Sequence, residues 1–249
     1  MSAFTTDSFF NGQIVLRQEK NGYRFSIDSI LAARHAEPRP GDVILDLGAG
    51  CGVISIITAL VEPGVRRIYG VEIQRELAEI ARWNVKANNM EDKIKILRRD
   101  LKDFQSRDIP ERATLVVSNP PFRKNRSGRQ NPNPQKAAAR HEIMATLRDV
   151  TGTAGRALGH GGRLVMIYPS HRLTDLLTEM RRSDLEPKWM RVIHSSPESA
   201  AKLVIVSGTK GGRPGMETRA PFFIYKKDGD YSKETRHMFE RPAPREPEG

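Results

Sequence analysis

Short apolar runs punctuate the chain, and between most of them apolar positions fall at helical spacing. DVILDL (42–47), IYGVE (68–72), IKIL (94–97), TLVVS (114–118), RLVMIYP (163–169), WMRVIH (189–194) and KLVIVS (202–207) read as strands. VISIITALVEPG reads as a helix stopped at Pro63-Gly64. In RELAEIARWNVKANN (75–89), Leu77, Ile80, Ala81 and Val85 form an amphipathic stripe that ends at Asn88-Asn89. Further helical patterns lie at about 142–158 and 172–182. Strands alternating with helices predict an α/β fold, a mostly parallel sheet with helices on both faces. The last two strands are joined only by SSPESAA, which has no room for a crossover helix, so they are expected to pair antiparallel. PFFIYKK (221–227) is expected to add to an edge, and the polar, proline-rich tail over 228–249 to be disordered.

The ends of these strands carry the chemistry. The first runs into Asp46-Leu47-Gly48-Ala49-Gly50-Cys51-Gly52. Alternating glycines let a backbone turn tightly and approach a ligand, and the helix that follows offers unpaired N–H groups. A dinucleotide fingerprint would read G-x-G-x-x-G, but here the third glycine comes one position early and is followed by Val53, which argues against NAD. Glu72 closes the second strand, where a carboxylate suits a ribose diol, and Asp100 follows the third, placed to accept from an adenine amino group. In a parallel sheet, Asp46, Glu72 and Asp100 share the carboxyl edge, where ligands bind.

Composition adds a partner and removes several classes. The net charge of the 249 residues is +11, which favours a polyanion such as nucleic acid. One cysteine, Cys51, excludes a disulfide framework and a cysteine zinc cluster, and no metal is expected. Neither a secretory signal nor a membrane-length apolar stretch is visible, so a cytoplasmic protein with no membrane partner is expected.

The set DLGAGCG, VEI and RRDL resembles the S-adenosylmethionine-dependent methyltransferase superfamily. The resemblance implies a Rossmann-like class I methyltransferase fold, a seven-stranded mostly parallel sheet with one antiparallel strand. It implies S-adenosyl-L-methionine as cofactor, with Asp46 and the loop Gly48, Ala49, Gly50, Cys51 and Gly52 at the methionine moiety, Glu72 and Ile73 at the ribose, and Asp100 and Leu101 at the adenine. Cys51 is read as a packing residue, since methyl transfer needs no nucleophilic thiol.

Ser118-Asn119-Pro120-Pro121-Phe122 ends the fourth strand on the same edge. A ring-conjugated amino nitrogen is a poor nucleophile until its lone pair is pulled out of conjugation and aimed at the methyl carbon. The Asn119 side-chain oxygen, which also borders the cofactor, and the Pro120 carbonyl can accept its two hydrogens. The prolines pre-organise that carbonyl, and Phe122 offers a stacking face. Asn-Pro-Pro-Phe is typical of methyltransferases acting on N6 of adenine, N2 of guanine or the glutamine amide, and does not choose among them.

The flanks choose. FFNGQIVLRQEKNGYRFSIDSILAARHA resembles the opening of the bacterial tRNA1(Val) adenine-N6 methyltransferases, through Gln18, Gly22, Tyr23, Arg24, Phe25, Ser26, Asp28 and Leu31. That family modifies the adenine beside the anticodon of a valine tRNA. The resemblance implies that residues 1–40 form a cap on the cofactor site, with Phe25 and Asp28 closing over it, and that 41–227 is the methyltransferase domain. The insert RKNRSGRQNPNPQKAAARHE also resembles that family, and its basic loop 123–140, with Arg123, Lys124, Arg126, Arg129, Lys136 and Arg140, is expected to bind the tRNA backbone. His141 is read as structural or RNA-facing rather than as a base. The rival readings are an amino-group methyltransferase acting on rRNA guanine or protein glutamine, and a basic RNA-binding protein with an inactive pocket.

Overall fold

The computed structural model describes residues 4–20, 25–120 and 145–240. The chain opens with a hairpin, β1 (Phe4–Phe9) and β2 (Ile14–Glu19), and helix α1 (Ile27–His35). An alternating series follows: β3 (Val43–Leu47), α2 (Val53–Val61), β4 (Arg67–Glu72), α3 (Arg75–Ala87), β5 (Ile94–Arg98), β6 (Ala113–Ser118), α4 (Leu147–Ala157), β7 (Leu158–Pro169), α5 (Leu173–Arg182), β8 (Leu185–His194) and β9 (Ala201–Lys210). Two-residue strands β10 (Glu217–Thr218) and β11 (Phe222–Phe223) and a short helix α6 (Lys233–Met238) complete it.

The seven long strands of the large sheet lie in the order β8-β9-β7-β6-β3-β4-β5, and β10 and β11 add to the outer edge of β8. Only β9 runs antiparallel, wedged between β7 and β8. The expected sheet is therefore present, widened from seven strands to nine: β11 lies in PFFIYKK, the segment expected to add to an edge, and β10 is a two-residue strand too short to show any periodicity.

Both faces of the sheet are buried, as a parallel sheet requires. Along β3, Ile44 faces the layer containing α1, α2 and α3, while Val43, Leu45 and Leu47 face the layer containing α4 and α5. No helix among the described residues is long and apolar enough to cross a membrane.

Two ends of the chain correct the sequence expectations. The N-terminal segment carries a hairpin that the apolar pattern had not disclosed. Its turn contains Asn11 and Gly12 at φ 54° and 85°, a left-handed pair that Asn-Gly adopts readily. Ile14 and Leu16 are fully buried in the main core, so the hairpin is part of that core.

At the other end, residues 228–240 were expected to be disordered but are folded onto α1 and β8. Ser232 caps α6, and buried Thr235 donates to the Ile224 carbonyl at 2.8 Å. Arg34 reaches the carbonyls of His237 and Met238, and Arg191 pairs with Glu234 at 2.6 Å. Polar groups there satisfy a helix terminus and a strand edge, which composition alone cannot reveal. Residues 241–249 of the tail lie outside the described residues.

Candidate active site

The site is built on the carboxyl edge, where β3, β4, β5 and β6 end side by side. Gly48, Gly50 and Gly52 have φ of 78°, 57° and 84°, the left-handed region that favours glycine. The N–H groups of Gly48 and Ala49 both donate to the Val71 carbonyl at 3.0 Å, which folds the loop over the end of β4. A Cβ at Gly48 would meet nothing within 4 Å, so the backbone there borders open space.

Glu72 holds the same loop from the neighbouring strand. Its Oε2 accepts from Gly50 N at 2.9 Å and its Oε1 from Gln74 N at 2.8 Å. Only 6% of Glu72 is exposed, and burial raises its pKa against the opposing effect of these bonds.

Asp46 is fully buried. Its Oδ2 accepts from Ser55 N at 3.1 Å and Ser55 Oγ at 2.7 Å, fixing the first turn of α2, while its Oδ1 has no partner. Burial, and secondarily the Glu72 charge, pushes Asp46 up to about 7. A folded-state pKa raised from 3.8 to about 7 means that the native state holds this proton where the unfolded chain has lost it. Asp46 is therefore expected to contribute stability that is lost as pH rises from about 4 to about 7, against the opposite contribution of buried His35, whose pKa burial lowers to about 4. Asp46→Asn should remove that contribution and leave those of Glu72, Asp28 and His35. Urea midpoints at pH 5 and pH 8 check it, and an identical pH dependence in both proteins contradicts it.

Burial pushes the Cys51 thiol up to about 12, so it is neutral and packs in the core. Asp100 stands just beyond β5, where its Oδ1 accepts from Lys102 N at 2.9 Å and its Oδ2 lies 3.6 Å from Lys102 Nζ. Ile73 and Leu101 are half-buried beside these acids in sequence.

Asn119 follows β6, one strand from the glycine loop, since Ser118 is in register with Leu47 and donates to its carbonyl at 2.8 Å. Asn119 is half-buried and Pro120 buried. The Nδ2 of Asn119 donates to Ser29 Oγ at 3.2 Å, which brings the first turns of α1 to the site. Ser26 caps that helix, and burial raises the pKa of Asp28 within it. Phe25 packs edge-on against Phe9 with ring centres 5.1 Å apart, and its N–H donates to Gln18 Oε1 at 3.1 Å.

The structure thus brings Asp46, the Gly48–Gly52 loop, Glu72, Asp100, Asn119 and Pro120 to one edge, and Ser29 ties to Asn119 the first turn of α1, which contains Asp28 and follows Phe25. Pro121, Phe122, the basic residues Arg123, Lys124, Arg126, Arg129, Lys136 and Arg140, and His141 lie outside the described residues. Sequence reasoning missed Ser55. Ser55 carries a readable signal, a hydroxyl three residues beyond Gly52 in the first turn of α2. Among the described residues no cluster of His, Cys, Asp and Glu could hold a metal ion.

A curated relative from Porphyromonas gingivalis, a tRNA1(Val) (adenine(37)-N6)-methyltransferase, is 30% identical over 239 residues, 92% of each chain. This chain belongs to that family. A family member of the same description from Phocaeicola vulgatus is 28% identical over 78% of this chain and 80% of its own. Residues 26–182 match the model of the methyltransferase small domain. A solved structure, a predicted O-methyltransferase from Agrobacterium tumefaciens, superposes with a TM-score of 0.68 at 20% identity, covering 84% of this chain and 94% of that one. That likeness shows the fold, and the tRNA1(Val) family membership rests on the curated relatives.

Proposed function

We propose that this chain methylates the exocyclic N6 of an adenine in tRNA, the adenine beside the anticodon of a valine tRNA, as a cytoplasmic enzyme. The observation that carries it is Asn119-Pro120 at the end of β6, in register with the glycine loop at the end of β3. Strand spacing puts the two about 5 Å apart across the sheet. The Porphyromonas relative's description supplies the nucleotide and the tRNA.

The residues fit S-adenosylmethionine. Asp46 keeps one buried oxygen without a partner, beside a glycine loop that borders open space. An amino-acid ammonium near this loop would favour the ionised carboxylate and lower the raised pKa. Glu72 spends one bond per oxygen on the backbone and has acceptor capacity left for ribose hydroxyls. Asp100 takes the adenine amino group, and Phe25, just before α1, and Asp28, in its first turn, border the cofactor.

When bound, S-adenosylmethionine supplies an electrophilic methyl group on a sulfonium centre. This chain's part is positioning. Ser29 holds Asn119 Nδ2, so Asn119 Oδ1 faces the base as an acceptor. Oδ1 and the Pro120 carbonyl accept hydrogen bonds from the two N6 hydrogens, pull the nitrogen lone pair out of conjugation with the ring and aim it. One of those protons leaves to solvent once the nitrogen carries the methyl group. Phe122 stacks on the base, and the basic residues from Arg123 to Arg140 bind the RNA backbone.

Valine tRNA from a strain lacking this gene is expected to lack N6-methyladenosine beside the anticodon, and a plasmid copy to restore it. Persistence of that nucleoside in the deletion strain overturns the assignment. Replacing Arg123, Lys124 and Arg126 together by Ala should flatten the slope of log affinity for tRNA against log salt by about 2–3. An unchanged slope would place the RNA track elsewhere.

A further inference from the structure

Helix α3 carries two asparagines one turn apart, Asn84 and Asn88, and both are turned to the free edge of strand β2. Asn84 Oδ1 accepts from Arg17 N at 2.7 Å, and its Nδ2 donates to Arg17 O at 3.1 Å. Asn88 does the same for Val15, with Oδ1 accepting from the N–H at 2.9 Å and Nδ2 donating to the carbonyl at 2.8 Å. Four residues of helix rise about 6.0 Å, and two residues of strand about 6.7 Å. The two amides therefore fall in step with alternate residues of β2 and replace the neighbouring strand that this edge lacks. Satisfying both groups of each residue also fixes which way each amide faces.

The two asparagines differ in one respect. Asn84 is wholly buried, and its Nδ2 also donates at 2.8 Å to the carbonyl of Cys51, inside the glycine loop. Asn88 spends its remaining donor on Asn84 O at 2.7 Å, within its own helix. Beyond Arg17 the connections continue. Gln18, 2% exposed, accepts from Phe25 N, and Ser26 caps α1, whose Ser29 accepts from Asn119. An unbroken series of hydrogen bonds and short backbone steps thus runs from the glycine loop, through Asn84 and the hairpin, to the residue placed at the target base.

We propose that Asn84 is a positioning residue that couples cofactor binding at the glycine loop to the order of the hairpin and of the Phe25–Asn119 side of the site. The inference rests on the methyltransferase reading above. Coupling is reciprocal, so a ligand on the loop must steady the hairpin by as much as the hairpin steadies the loop. Asn88 provides the built-in control, because it clamps the same strand without touching the loop.

The experiment measures amide hydrogen exchange in the full chain with and without S-adenosylhomocysteine, together with the affinity for that ligand. In wild type the ligand is expected to slow exchange at the amides of Val15 and Arg17, neither of which lies in the loop or among the residues placed at the cofactor. Asn84→Ala should abolish this slowing and weaken binding about tenfold, within the usual range of coupling between sites. Asn88→Ala should loosen the hairpin, keep the slowing at Arg17 and leave the affinity within about twofold. Equal effects of the two variants on affinity overturn the proposal. If Asn84→Ala does not fold, wild type decides alone: slowing at both amides supports the coupling, and unchanged exchange with ligand bound overturns it. Failure of wild type to bind S-adenosylhomocysteine overturns the methyltransferase reading itself, and this proposal with it.

Discussion

Asn119→Ala is expected to lower turnover by about 10²–10³-fold, the usual cost of removing one group placed to stabilise a transition state. The affinity for S-adenosylmethionine should change by no more than a few fold. The two effects separate because the Asn119 oxygen works hardest when the N6 lone pair has left the ring, and little in the ground state. The fold should survive the change. Asn119 is half-buried, and its bond to Ser29 is a neutral one at 3.2 Å, worth about 0.5–1.5 kcal/mol. Single-turnover rates and calorimetry on the same protein read the two quantities. Parallel losses in rate and cofactor affinity would show that Asn119 serves the cofactor rather than the base.

Glu72→Ala should give the opposite split. Glu72 anchors Gly50 and Gln74 through two backbone N–H bonds and is the acceptor assigned to the ribose. Its removal leaves those two donors without their charged partner, at about 1.5–3 kcal/mol for each bond to a charged group. It also releases the glycine loop. Cofactor affinity is expected to fall by about 10²-fold or more, while turnover at saturating cofactor falls much less. Removing the Glu72 charge also relieves one cause of the raised Asp46 pKa, so that pKa should move down. Titration calorimetry against rates at saturating cofactor tests this. An unchanged affinity would mean that the Val71 carbonyl and the Asn84 amide hold the loop without Glu72.

What could be read from the sequence was local. The strands of the large sheet are short apolar runs closed by turn residues, and the carboxylates Asp46, Glu72 and Asp100 stand just at or after their ends. Sheet direction follows from the intervening helices, so a common edge for the acids follows too. What escaped depends on distant partners. The β1–β2 hairpin announces itself at Asn11-Gly12, but its inward stripe of Ile14 and Leu16 ends in Gln18, a polar side chain whose burial makes sense only once Asp7 and Phe25 are seen to satisfy it. Asn88 looked like the end of a helix. It does cap α3, yet its side chain serves a strand 73 residues away in sequence. Helix α6 is six residues long and carries no apolar stripe, so nothing in its own sequence distinguishes it from a solvated tail.

On the proposed reading, the edge from Asp46 to Asn119 methylates N6 of adenine in tRNA. The most direct test incubates the purified full chain with methyl-labelled S-adenosylmethionine and, in parallel, with unmodified valine tRNA, ribosomal RNA and release factor, then identifies the labelled product after digestion. Label is expected in tRNA alone, recovered as N6-methyladenosine and abolished by Asn119→Ala. Label recovered as N2-methylguanosine, or appearing only in protein, would contradict it.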